Sequence, residues 1–146
     1  MRALSIRQPW AELILRGVKT VEYRSRPTRI IGERFYIYAS KTSALVRKPA
    51  NTTPPPVWSA DLVIPGRDEQ PLPPAWMLQL ADKLILSDLP TGVIVGSAVI
   101  EKVTPYDRTD GLGFDGLFRW HLRDVERAKT FRKPKGHPQP VWFAPF

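Results

Sequence analysis

The chain has 146 residues, no cysteine, a formal net charge of +8 and a pI near 10.1. That length suits one domain with its own core, and the lack of cysteine excludes disulfide frameworks, thiolate metal sites and cysteine nucleophiles. The surplus of arginine and lysine points to a polyanionic partner, because each neutralised phosphate releases condensed counterions, although ordinary solubility charge has the same composition. The amino terminus carries no apolar stretch of the signal-peptide kind and no run is long enough to span a bilayer, so a soluble, cytoplasmic domain with no membrane association is expected.

Ala3 to Ile6 is a short apolar strand. Pro9 suits the first position of a helix, with Gln8 as its cap, and Trp10, Leu13 and Ile14 form an apolar stripe that leaves Glu12 and Arg16 on the other side. Gly17 ends the helix, with Val18 folding back onto the stripe. Lys19 to Arg24 then alternates as a strand, with Glu22 and Arg24 on one face and Val21 and Tyr23 on the other. This arrangement brings Arg7, Gln8, Lys19, Glu22 and Arg24 around one hollow. The competing reading is a solvated cross-strand pair and a surface lysine.

Ser25 to Arg29 is a basic loop, and Gly32 supplies a tight connection into a central strand, Arg34 to Ser40. The polar end of that strand, Ser40 and Lys41 with Thr42 and Ser43, suits either a pocket wall or a plain turn. From about residue 48 to 74 prolines cluster, which predicts an irregular insertion. Trp58 and its apolar neighbours suggest that part of the insertion docks as a lid, and residues 75–86 have helical spacing that would cover a barrel mouth. Thr91 to Val103 is a strand whose Gly96, Ser97 and Ala98 mark a bend or a close approach. The glycine- and aspartate-rich run over 107–116 reads as a loop, since it lacks the spacing of a calcium site. Leu117 to Val125 and Val141 to Phe143 are further strands. Five or six short strands with two or more small helices predict an α+β fold built on a small, closed or nearly closed β-barrel.

His121 and His137 lie apart with no ligand at metal spacing, so no metal site is expected, and no glycine-rich cradle or nucleophile elbow marks a cofactor or a serine hydrolase. The hollow, walled by Trp10 and Trp120 and flanked by Ser40 and Lys41, suits a nucleotide: cations for phosphate, Gln8 for a base edge, tryptophan for stacking. It also suits catalysis, because a partly desolvated lysine beside a glutamate can supply a general base.

The segments S-I-R-Q-P-W and G-V-K-T-V-E-Y-R resemble the ASCH family, the activating-signal-cointegrator homology domains related to PUA-like RNA-binding barrels. Ser5, Arg7, Gln8, Pro9, Trp10, Gly17, Lys19, Glu22 and Arg24 fall on its pattern, and the strands at Arg34 to Ser40 and Gly92 to Ile100 are similar to it as well. The resemblance spans about two thirds of the chain and leaves out the proline-rich insertion. It implies a PUA-like barrel of five to six strands and one of two activities. The first is RNA or nucleotide binding with Arg7, Gln8, Trp10, Arg24, Ser40, Lys41 and Trp120 as the ligand set and no cofactor. The alternative is hydrolysis, as a ribonuclease or an amidohydrolase on N4-acetylcytidine, with Lys19 and Glu22 as catalytic residues. In the amidohydrolase group the pattern is K-x-x-T with a distant glutamate; Lys19 matches the lysine, Glu22 stands where the threonine would be, and the distant glutamate has no match. A protein-binding adaptor working through the proline-rich insertion ranks third.

Overall fold

The computed structural model describes residues 1–42, 46–47, 58–59, 88–105 and 118–146. In chain order the elements are β1 (Ala3–Ile6), α1 (Trp10–Leu15), β2 (Val21–Arg24), β3 (Arg34–Ala39), β4 (Val46–Arg47), β5 (Trp58–Ser59), β6 (Val93–Pro105), β7 (Phe118–Arg132) and β8 (Trp142–Phe143). Six of the strands form one sheet in the order β2-β7-β6-β3-β1-β8, in which β1 runs parallel to β3 and its other neighbour β8 is antiparallel. The pair β4 and β5 makes a separate two-stranded ribbon, so the only described piece of the proline-rich stretch is a strand. The docking of the Trp58 side chain, the helix expected over 75–86 and the loop over 107–116 lie outside the described residues.

α1 starts and stops for local reasons. The Gln8 side-chain carbonyl accepts the Glu12 N–H at 3.0 Å, so Gln8 caps the helix as its position suggests, while Pro9 takes the cap position rather than the first helical one. At the other end Gly17 has φ +74°, its N–H donates to Ile14 O and the Val18 N–H donates to Leu13 O. That pair of bonds is the Schellman closure, and Val18 packs on the core as the motif requires.

The concave face of the sheet holds the main core: Leu4 and Ile6 of β1, Phe35, Ile37 and Ala39 of β3, Ile100 of β6, Trp120 and Leu122 of β7, closed by Trp10, Leu13 and Ile14 of α1. A smaller cluster, Ala3, Tyr38, Ile94 and Phe143, lies apart from it. β6 and β7 slip register three times, at Ile94/Gly96, Ser97/Val99 and Ile100/Lys102, and such bulges increase local twist and bend a sheet. Gly96 sits where a Cβ would collide with the Glu126 carbonyl oxygen and the Leu15 side chain, which is the close approach its small size suggested.

The expected barrel is not closed. The ladder ends at β2 on one side and at β8 on the other. β8 is two residues long and is framed by Pro138, Pro140 and Pro145, none of which has an N–H to extend a ladder. Side chains span the gap instead. Trp120 of β7 stacks on Trp142 of β8 with ring centroids 5.7 Å apart and planes 12° from parallel.

Glu12, which the sequence reading leaves on the side of α1 away from the apolar stripe, is buried by a partner from β7. It faces β7, not solvent, and is 4% exposed. Arg127 grips both of its oxygens, at 2.8 and 3.1 Å, and Arg16 adds a bond of 2.9 Å. Burial pushes the carboxyl's pKa up, but the bonds and charges of Arg127 and Arg16 outweigh it and leave the pKa below the ordinary 4.5. A lowered folded-state pKa contributes stability that is complete above the unfolded value and is lost as pH falls through the folded one. Thermal melts should therefore show a drop in stability below about pH 4.5 that Glu12→Gln flattens. Arg127→Ala should cost about 1–3 kcal/mol at neutral pH in urea unfolding, because Arg16 remains and Arg127 is partly solvated.

Candidate functional site

β2 brings its charged face inward. Glu22 is 1% exposed and Arg24 8%, while Val21 and Tyr23 on the opposite face are half-buried. Alternation placed the two charges together, and the solvated-pair reading is excluded by their burial. Such burial requires partners, and each group has them. Lys19, 5% exposed at the turn before β2, donates to the Val21 carbonyl and to Glu22 Oε2, the latter at 2.9 Å, and its ammonium lies 5.4 Å from the centre of the Tyr23 ring. Arg24 Nε lies 3.2 Å from Glu22 Oε1 but off the hydrogen-bonding direction.

The rest of the Arg24 guanidinium crosses the open side of the sheet. Nη2 donates to the Ser5 carbonyl of β1 at 2.6 Å and Nη1 to the Pro140 carbonyl at 3.2 Å, just before β8. One planar fork therefore ties β2 to the far edge, with its flat face 5.9 Å from the centre of the Trp120 ring.

Beside this bridge lies a cavity of about 480 Å³, a size usual for small-ligand sites. Its lining includes Glu22 and Arg24, the aromatics Trp10 and Tyr38, the hydroxyls of Ser5, Ser40 and Thr42, and the cations Arg7 and Lys41. Among the described residues neither Arg7 nor Lys41 makes an ion pair. Burial raises the pKa of the Tyr38 phenol, so it stays a neutral donor and acceptor. Thus Arg7, Trp10, Glu22, Arg24, Ser40 and Lys41 come together as the sequence suggested.

Three expected members lie elsewhere. Lys19 stands behind Glu22 and does not line the cavity. Gln8 is engaged as the helix cap and by a 3.0 Å bond from its amide to the Pro90 carbonyl, which holds the approach to β6. Trp120 is 1% exposed beneath the bridge, its indole N–H bonded to the Arg26 carbonyl at 3.0 Å. Sequence reasoning missed the loop from His137 to Pro140, which forms one cavity wall. Its G-H-P-Q-P composition marks a turn, and nothing local to it tells where the turn docks. His121 lies away from the cavity, bonded to Thr104, and burial with the nearby Lys102 and Arg119 charges depresses its pKa.

These features define a mostly-strand domain, an open six-stranded sheet with a short helix packed on it, that carries a polar pocket lined by arginine and lysine. The model of the ASCH domain matches residues 4–130, and the chain belongs to the ASCH domain family. A crystal structure of ASCH from Zymomonas mobilis is similar with a TM-score of 0.46 and 16% identity over 86% of this chain and 68% of that one. A serine-to-alanine mutant of the Zymomonas mobilis protein gives 0.44 and 18% over 86% and 69%. No curated protein matches the chain. Among the described residues no helix is long and apolar enough to cross a membrane.

Arg24→Lys keeps the charge but cannot reach two carbonyls at once. It should lower stability by about 1–3 kcal/mol, the cost of leaving a buried carbonyl without its donor, measured by urea unfolding followed through tryptophan fluorescence.

Proposed function

We propose that this ASCH domain binds RNA by taking one unpaired nucleotide into the cavity beside Arg24. The observation that carries the reading is the composition of that cavity: two aromatic side chains, several hydroxyls and two cations that make no ion pair among the described residues, in a chain of net charge +8. Unpaired bases are held by stacking on aromatic rings and by bonds to their exposed edges, and phosphates by unpaired cations. Arg7 and Lys41 are the phosphate contacts in this reading. Arg24 acts as the frame that positions them, since both of its Nη atoms are bonded to carbonyls.

A hydrolase using Glu22 as general base is the second reading, favoured by one observation: Glu22 lines the cavity with Lys19 bonded to its Oε2. Lys19 itself is turned to a carbonyl, a carboxylate and the Tyr23 ring, which leaves it a supporting charge in place of a reacting amine.

Binding of single-stranded RNA should weaken steeply with salt. Replacing both Arg7 and Lys41 by alanine should flatten the log–log salt slope by about 1.4, two phosphate contacts at roughly 0.7 each, measured by fluorescence anisotropy. An unchanged slope counts against the proposal. Incubation with N4-acylated cytidines and labelled RNA from mildly acid to basic pH should yield no product; turnover abolished by Glu22→Gln would establish the second reading instead.

A further inference from the structure

The sheet ladder pairs Ser5 of β1 with Tyr38 of β3, Tyr38 with Ile94 of β6, and Ile94 with Arg132 of β7. Residues paired in this way share one face of a sheet, so the cavity residues Ser5 and Tyr38 stand in the same row as Arg132. Two strand spacings, about 10 Å, separate the Tyr38 and Arg132 backbones. The Arg132 guanidinium lies over the Phe146 ring, 4.1 Å from its centre, and its Nη2 donates to Tyr36 Oη at 3.1 Å. Tyr36 meets the same ring edge-on, with centroids 5.9 Å apart, and packs against the small cluster that holds Tyr38. The Lys135 N–H donates to the Pro145 carbonyl at 2.7 Å, which keeps that lysine beside the Phe146 segment.

Aromatic surface and positive charge are both exposed at this place. Phe146 is 52% exposed, Arg132 and Lys135 are exposed, and among the described residues neither cation makes an ion pair. Basic side chains on a strand also serve to keep other chains from pairing with it, but that role needs no fixed side-chain position. Arg132 is held by a ring and by a hydroxyl, so less rotamer freedom is lost when an anion meets it. Single-stranded RNA is bound on surfaces of this composition, where bases stack on aromatic rings and cations follow the backbone. Resting on the reading that the cavity takes one nucleotide, we propose that the neighbouring nucleotide of the same strand lies on this platform, its base on Phe146 and its phosphate at Arg132 and Lys135. The ligand is then a run of two or more nucleotides, of which the cavity holds only one.

The test is titration of the full chain with 5′-phosphorylated adenylate and uridylate strands of one, two, three and six nucleotides, read by isothermal calorimetry. Within each series the base is constant, so a gain with length comes from the flanking nucleotides. Affinity should rise about tenfold to a hundredfold between the mononucleotide and the three-nucleotide strand, the worth of one stacked base. Phe146→Ala should remove most of that gain. Arg132→Gln combined with Lys135→Ala should flatten the log–log salt slope of the six-nucleotide strand by about 1.4, two phosphate contacts at roughly 0.7 each. Should Phe146→Ala disturb the fold, the Arg132 and Lys135 variant, which alters exposed side chains alone, decides. Mononucleotide binding with no gain at greater length, or a gain that persists in both variants, overturns the platform and leaves the cavity reading standing. Binding of the six-nucleotide strand that these variants weaken, but that Arg7→Ala with Lys41→Ala leaves intact, overturns the cavity reading and with it the joint site. Binding of no strand in either series overturns both.

Discussion

The fold depends on a single guanidinium. Arg24 sits on one edge strand of a sheet that does not close, and its planar fork reaches carbonyls on and beside the opposite edge. A backbone ladder would have closed the barrel with several bonds, but β8 is too short and too rich in flanking proline to offer them. A buried arginine is an expensive substitute, since its charge must be balanced and its donors directed. Glu22 provides the balance at 3.2 Å, and Lys19 offsets Glu22 in turn at 2.9 Å. The three charged side chains form one interlocked unit, and the cavity exists because that unit holds the two sheet edges at a fixed distance without joining them.

The same unit explains why the pocket is chemically asymmetric. The buried charges Lys19, Glu22 and Arg24 are turned to one another and to backbone carbonyls, while among the described residues Arg7 and Lys41, which line the cavity, make no ion pair. The aromatic pair divides in the same way. Trp120 is stacked on Trp142 and belongs to the core, whereas Trp10 spans core and cavity. Core-facing and cavity-facing positions are thus separated between residues that look alike in the sequence.

Much of the local structure was legible from residue type. Gly17 closes α1 as a left-handed residue, the small residues near Gly96 mark a close backbone approach, and the alternation in β3, β6 and β7 gave the strands. Other features were not legible in this way. The barrel failed to close because the proline-framed end of the chain, expected as the strand Val141 to Phe143, pairs through Trp142 and Phe143 alone and offers nothing to join β2. Glu12 falls on the side of α1 away from the apolar stripe, with no partner named, because helical periodicity reports only where that stripe lies. It cannot register that Arg127, 115 residues further on, covers the polar side.

Taken alone, the sequence determined what neighbouring residues decide among themselves: the helix with its cap and stop, the pairing of Glu22 and Arg24 on one face, the basic charge, and a motif over the first strand, helix and second strand sufficient to name the family. Tertiary structure decided which face of β2 is inside. Period-two alternation defines two faces and is silent on their destination, and the apolar Val21 and Tyr23 would have been the natural choice. The charged face is buried because partners from distant segments satisfy it, among them the Pro140 carbonyl 116 residues away. The loop from His137 to Pro140 became a cavity wall for the same reason: its position is set by bonds to Arg24 and β1, and those exist only once the sheet has curled.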